Sequence, residues 1–143
     1  MALLAGCVAR GPQFTGLDEV LGEQARVYLI REAAMVGYAY CPPVSLDGEV
    51  VGCLKNGGYL RLDLEPGIHE LRFESRLFES IEEIRLAVEV TAGQELFYQW
   101  QAQMHPPVAL VSGIPAGVSV SRRLRPISKS AALYLLPSLR LSH

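Results

Sequence analysis

Four short glycine-containing turns, Asp47-Gly48, Asn56-Gly57-Gly58, Pro66-Gly67 and Ala92-Gly93, divide the middle of this chain into runs of alternating apolar and polar residues. Runs of that length between such turns read as strands, because a period of two buries one face of an extended chain and wets the other. Strands are expected over residues 44–46, 49–54, 59–64, 68–75, 84–90 and 96–104, preceded by one over 25–31. In 59–64, Leu60, Leu62 and Leu64 should face inward, with Tyr59, Arg61 and Asp63 outward. In 68–75, Leu71 and Phe73 share a face with His69. In 84–90, Ile84, Leu86, Val88 and Val90 form the apolar face. In 96–104, Leu96, Tyr98, Trp100, Ala102 and Met104 alternate with Gln99, Gln101 and Gln103. The turn Ala92-Gly93 is expected to join these last two strands as the longest hairpin.

His105-Pro106-Pro107 should break the last of these strands, and the stretch to Gly117 reads as a covering loop. A final strand is expected over 118–124. Residues 126–136 should then hold a short helix capped by Ser128, with Ala131, Ala132, Leu135 and Leu136 as its apolar stripe and Pro137 as its stop. The fold class implied is all-β: a single antiparallel β-sandwich of about seven strands, since an apolar sheet face must be covered by another layer. The short C-terminal helix would cap one open end.

A chain of 143 residues, half of them hydrophobic, suits one domain with a sizeable core. Its net charge of −2 and scattered arginines, apart from Arg122, Arg123 and Arg125, give no electrostatic footprint for nucleic acid, and none is expected as a partner. The longest apolar run, residues 131–136, is far shorter than a membrane-spanning helix requires.

The N-terminal tetrapeptide Leu4-Ala5-Gly6-Cys7 looks like a bacterial lipobox, in which small or apolar residues precede a cysteine that receives lipid. Residues 1–7 are therefore read as the end of a lipoprotein signal, with the basic and apolar parts of the leader expected upstream of the given start. The bland alternative is a chance tetrapeptide in an apolar-rich chain. Acylation of Cys7 would anchor the protein to a membrane without inserting it. Residues 8–23, with Gly11, Pro12, Gly16 and Gly22, read as a flexible tether carrying a short helical turn near Leu17 to Leu21, and residues 24–143 as the sandwich domain. By resemblance to Gram-negative lipoproteins, Val8 rather than aspartate after the cysteine implies sorting to the periplasmic face of the outer membrane.

That assignment leaves Cys41 and Cys53 in a compartment that permits disulfides. If Asp47-Gly48 is a two-residue turn, Leu46 faces Glu49 and Pro42 faces Cys53, which puts Cys41 one position out of register. A bulge would bring the two together; otherwise both are buried thiols acting as small hydrophobes. Neither has a partner at zinc-ligand spacing, so no metal is expected.

The run 44–52, followed by Asn56-Gly57-Gly58-Tyr59 and residues 64–71, resembles a family of proteobacterial lipoproteins catalogued as a domain of unknown function, and more loosely the PEGA-type surface-protein domains. The resemblance covers about residues 25–104. It implies an envelope location and a β-sandwich, and brings no catalytic residues. The Pro42-Pro43 pair and the proline-rich stretch after Met104 depart from the pattern.

Catalysis has little to work with. Of His69, His105 and His143, only His69 sits within a strand near carboxylates (Asp63 and Glu65), and a histidine beside a turn more often satisfies a backbone carbonyl. Glu82 and Glu83 should point to opposite faces of a strand. No phosphate loop, metal cluster or nucleophile elbow appears, and no cofactor is implied. The expectation is a membrane-anchored envelope lipoprotein acting as a non-catalytic interaction or structural module, with other envelope proteins or peptidoglycan as partners. Tyr38, Tyr40 and Tyr59 form the candidate partner surface, against the alternative that they pack their rings and wet their hydroxyls. The runner-up is a carbohydrate- or peptidoglycan-binding module, which a concave aromatic-lined groove would favour. An envelope hydrolase comes third, and would need a buried histidine–carboxylate pair opening onto a cleft.

Overall fold

The computed structural model describes residues 8–34, 40–74, 83–105, 109–111, 114–116 and 119–142. Cys7, Tyr38, Glu82 and His143 lie outside the described residues. The elements are β1 (Ala25–Arg31), β2 (Pro43–Leu46), β3 (Glu49–Cys53), β4 (Gly58–Leu64), β5 (Gly67–Phe73), β6 (Ile84–Val90), β7 (Glu95–His105), β8 (Ala109–Val111), β9 (Ile114–Ala116), β10 (Ser119–Ile127), α1 (Lys129–Leu135), a 3-10 turn (Leu136–Ser138) and β11 (Arg140–Leu141). Two sheets pack face to face, a five-stranded one ordered β10-β7-β1-β4-β11 and a four-stranded one ordered β3-β2-β5-β6, with β8 and β9 forming a small ladder of their own.

Two features correct the expected all-antiparallel, seven-stranded sandwich. The two main sheets contain nine strands, and the five-stranded sheet is mixed, because β7 and β11 run parallel to β1 and β4 respectively. The expected hairpin across Ala92-Gly93 does not form: β6 pairs with β5, whereas β7 pairs with β1 and β10. The turn instead carries the chain from one sheet to the other. It is fastened to the start of β1 by Gly93 N–H donating to Gln24 C=O at 2.9 Å and by Arg26 N–H donating to Gln94 C=O at 2.8 Å, so β7 leaves alongside β1. The apolar faces of β6 and β7 therefore meet across the sandwich, which satisfies the same alternation a hairpin would.

The main core joins Val27 and Leu29 of β1 to Leu60, Leu62 and Leu64 of β4, Val44, Leu71, Phe73, Val88, Val90 and Trp100. Each such side chain contributes about 1.5–3 kcal/mol on full burial. Every residue of β1 is buried, because its other face, Tyr28 and Ile30, lies under a second cluster with Phe97, Ala132, Leu136 and Leu139. The C-terminal helix thus covers the outer face of the five-stranded sheet and does not cap an open end. Ser128 caps it, its hydroxyl accepting from Ala131 N–H at 3.1 Å.

The expected tether is also redrawn. No helical turn forms at residues 17–21, and residues 8–14 are laced to the domain. Val8 bridges Asn56 and Gln13 bridges Arg140. Gly11 N–H donates to Leu141 C=O at 3.1 Å, Leu141 N–H to Pro12 C=O at 2.9 Å, and Phe14 N–H to Leu139 C=O at 3.0 Å. Ala9 is 4% exposed. Gly11 serves close approach here and not flexibility, since a Cβ would run into the Leu141 carbonyl. Asp18 extends the attachment: its carbonyl accepts from Arg26 at 2.9 Å and its carboxylate pairs with Arg61 at 2.9 Å.

On β2–β3 the register shifts between Val44 and Ser45, so that Pro43, not Pro42, faces Cys53. That bulge brings Cys41 to a Cα–Cα distance of 5.4 Å from Cys53, and the two are joined by a disulfide. The turn Asp47-Gly48 has positive φ at both residues, 51° and 87°, as a two-residue hairpin turn of this hand requires.

The stretch after β7, expected as a covering loop, contributes β8 and β9, and the strand after it is longer than expected, with β10 paired to β7 along Ser119–Ile127. No helix among the described residues is long and apolar enough to cross a membrane.

Candidate functional site

Strand β1 stops at Arg31, whereas β7 pairs with it through Gln99 and then runs on to His105 beside β10. The difference in length leaves a notch at the end of β1. Its cavity measures about 320 Å³ and is lined by Arg31, Glu32 and Ala34 on one side, residues 99–103 of β7 along the floor, and Ser121 and Arg123 of β10 on the other. A second hollow of about 300 Å³ shares Glu32, Gln99 and Gln101 and continues over Arg125 and Ile127 to Ala131, Tyr134 and Leu135 of α1. Together they form one trough along the part of the outer face that the second apolar cluster leaves uncovered.

The trough is polar because the outward positions of β7 and β10 are polar and meet in register: Arg123 faces Gln101 and Arg125 faces Gln99. These side chains are already joined. Arg125 Nη2 donates to Gln99 Oε1 at 3.1 Å, Gln99 Nε2 donates to Glu32 Oε2 at 2.9 Å, and Arg123 Nε donates to Gln101 Oε1 at 3.3 Å. Gln99 is 3% exposed and so anchors the network. At the notch, Arg31 is 2% exposed and donates to the carbonyls of Tyr40 at 2.6 Å and Leu54 at 2.9 Å. Its guanidinium lies 4.5 Å from the centroid of the Trp100 ring. The indole N–H of Trp100 is buried and meets no hydrogen-bond partner among the described residues. At the other end, the Tyr134 ring is 86% exposed.

Two of the sequence-derived candidates, Tyr40 and Tyr59, do not line the trough. Tyr40 packs against the main core, its ring 3.9 Å beneath the Arg122 guanidinium and its hydroxyl donating to Glu74 C=O at 3.3 Å. Tyr59 belongs to the second cluster, edge-on to Phe14 at 5.7 Å, and burial pushes its hydroxyl pKa up. The two tyrosines occupy different clusters on opposite faces of the five-stranded sheet and form no common platform. Cys7 and Tyr38 lie outside the described residues.

His69 joins two turns. Its Nδ1 is 2.6 Å from Asp47 Oδ2 and its Nε2 2.7 Å from Glu65 C=O, while Asp47 Oδ1 accepts from Glu70 N–H at 2.8 Å. Both partners offer acceptor oxygens, an arrangement that favours the protonated ring, in which both nitrogens donate. The Asp47 carboxylate and then the Glu65 carbonyl raise the His69 pKa; His69 and the Glu70 N–H lower that of Asp47. Engaged at both nitrogens, the ring clamps the Asp47 turn to the Glu65 turn. No group of residues able to hold a metal ion occurs among the described residues.

Residues 22–114 match a family described as protein of unknown function, DUF2846. The chain belongs to this family. The DUF2846 match covers Glu32 and the β7 part of the trough, while Arg123, Arg125 and Tyr134 lie beyond it. No curated protein and no solved structure matches the chain.

Residue spacing had singled out neither Glu32 nor Tyr134. The alternation of Gln99, Gln101 and Gln103 against an arginine-bearing strand was the signal available. It reads as an ordinary wet face until the pairing of β7 with β10 is known.

Proposed function

We propose that this DUF2846 protein is a non-catalytic binding module of the cell envelope, lipid-tethered through Cys7 and facing the periplasm from the outer membrane. One observation carries the binding part of the reading: part of the outer sheet face is left open as a polar trough whose side chains are already paired, which lowers the ordering cost of recognising a ligand. The location rests on Leu4-Ala5-Gly6-Cys7 and is supported by the Cys41–Cys53 disulfide, since such bridges persist in oxidising compartments. The engagement of both His69 ring nitrogens between two turns favours binding over hydrolysis.

The anchor can be tested by expressing the chain behind its upstream genomic sequence with labelled palmitate. Label should enter the wild type and sediment with the outer membrane, while Cys7→Ala should take up none and stay in the periplasmic fraction. An unlabelled wild type that fractionates with the cytosol overturns the reading.

A further inference from the structure

The geometry points to the trough as a glycan-binding site, taking a short, uncharged oligosaccharide with its hydroxyls over β7 and β10 and one sugar ring against Tyr134. This deepens the binding-module reading and rests on it, but does not depend on the lipid anchor. Three properties of the trough select that chemistry.

The first is the mixture of donors and acceptors. The Gln101 carboxamide carries both, the Glu32 carboxylate accepts, and the guanidinium groups of Arg123 and Arg125 donate, with buried Gln99 holding Glu32 and Arg125 in place. A sugar hydroxyl both donates and accepts, so it can be matched anywhere along such a row. A phosphate or carboxylate ligand would meet Glu32, and a cation would meet two arginines, so neither is served along the whole length.

The second is rigidity. The chain Arg125 to Gln99 to Glu32 and the pair Arg123 to Gln101 hold planar groups at 2.9–3.3 Å from one another on paired strands. Rotamer freedom is already spent in the free protein, which favours weakly hydrophobic ligands that gain little from burial.

The third is the apolar end. Tyr134 is 86% exposed on a helix that buries Ala132 and leads into buried Leu136, so the ring makes no contribution to the core that would account for it. It lines the second hollow beside Ala131 and Leu135. An exposed ring closing a row of planar polar groups presents a flat apolar surface to the C–H face of a pyranose while its hydroxyl stays wet. The two hollows, about 320 and 300 Å³ and sharing three residues, are of the size that holds small ligands and are continuous enough for more than one sugar ring.

The test uses the full chain titrated with chitotetraose, cellotetraose and maltotetraose, followed by amide chemical shifts and by the fluorescence of Trp100, the single tryptophan, which lines the notch. At least one tetrasaccharide should shift amides of β7 and β10. Tyr134→Ala should weaken that binding about 3- to 10-fold, in line with the worth of one aromatic contact, and Arg123→Ala together with Gln101→Ala should weaken it further. Both sites are at the surface, so melting temperatures should stay within about a degree or two of the wild type. No binding of any of the three at millimolar concentration overturns the glycan proposal, as does binding that survives all three substitutions. If the sugars fail but crosslinking in intact cells through position 101 captures an envelope protein, the trough is a protein interface: the glycan proposal falls and the binding-module reading stands. If neither sugars nor crosslinks respond to the substitutions, both fall.

Discussion

In the fold, His69 meets the Glu65 carbonyl through its Nε2, the bond expected of a turn histidine, and a carboxylate through its Nδ1. Placed between Asp47 of the β2–β3 turn and the Glu65 carbonyl before β5, it ties a hairpin turn of the four-stranded sheet to the connection that brings the chain over from β4. The pH dependence follows from the directions of the two shifts. The His69 pKa is raised above 6.5, so its contribution to stability is full below that value and is lost as pH rises through the raised folded-state pKa. The Asp47 pKa is lowered below 3.8, so its contribution is full above that value and is lost as pH falls through the lowered one. The clamp should therefore be strongest between about pH 4 and 6.5. Because Asp47 is half exposed, its worth there should be about 1 kcal/mol or less. Melting curves of the wild type and His69→Gln, taken from pH 5 to 9, should converge as pH rises; a gap that stays constant across that range contradicts the clamp. The chain alone places His69 beside a turn with Asp63 and Glu65 nearby, and favours a bond to a backbone carbonyl, which Glu65 supplies. The actual carboxylate, Asp47, comes from the neighbouring hairpin, a pairing of β2 with β5 that no local spacing announces. Arg31 carries the same lesson. It reads as the polar end of a strand, yet it is buried against the carbonyls of Tyr40, just before β2, and Leu54, just after β3, and against the Trp100 indole of β7.

At the level of elements, periodicity located most strands to within a residue or two and failed on their neighbours. The alternation in β6 and β7 states which side chains are buried, and burial across a sandwich satisfies it as well as burial along a hairpin. What decided between them was the pair of backbone hydrogen bonds from the Ala92-Gly93 turn to the start of β1, contacts more than sixty residues apart in the chain. Strand β11 escaped notice because two residues cannot show a period, and β8 and β9 because prolines surround them. The trough shares that origin: its floor is a register between β7 and β10, not a motif. The bulge in β2–β3 has a measurable consequence. It lets Cys41 and Cys53, 12 residues apart, close a loop that includes the hairpin, and a bridge over a loop of this length restricts the unfolded chain by about 2–3 kcal/mol. Reduction with dithiothreitol, or the double substitution Cys41→Ala and Cys53→Ala, should lower the melting temperature by several degrees. Free-thiol titration of the unreduced, unfolded domain should find neither cysteine reactive. Two reactive thiols there, with a melting temperature indifferent to reductant, would mean that these cysteines act only as small buried hydrophobes.

For the molecule as a whole, the N-terminal segment decides how closely the domain follows whatever residue 7 is attached to. Glycine and proline between residues 8 and 23 read as slack, but slack and close packing use the same residues: Gly11 lets the backbone touch β11, and Pro12 supplies the carbonyl that Leu141 bonds. Phe14 and Leu17 then complete the second cluster over Tyr59, on the face that α1 covers further along. The segment starts at Asn56, whose side chain also accepts from Ala34 N–H at 3.0 Å, and Ala34 lines the notch. A lipid on Cys7 would therefore hold the trough end of the domain near the membrane with one residue of reach, instead of on a tether of about sixteen residues that could extend ~50 Å. Gly11→Val tests the docking without reference to lipid. Its side chain has no room beside the Leu141 carbonyl, so the segment should lift away and uncover the Phe14 site, at a cost of about 1–3 kcal/mol. In the wild type, amide protons of Gly11, Phe14 and Leu141 should exchange slowly, and trypsin should cut at Arg10 no faster than at sites within the sheets. In the variant those three amides should exchange and Arg10 should be cut early, while Val27, Leu29 and Leu71 keep their protection. Amides at residues 9–14 of the wild type that exchange at the rate of an unstructured peptide would return the segment to the role of a free spacer, and the trough would then sample all orientations relative to whatever residue 7 is attached to.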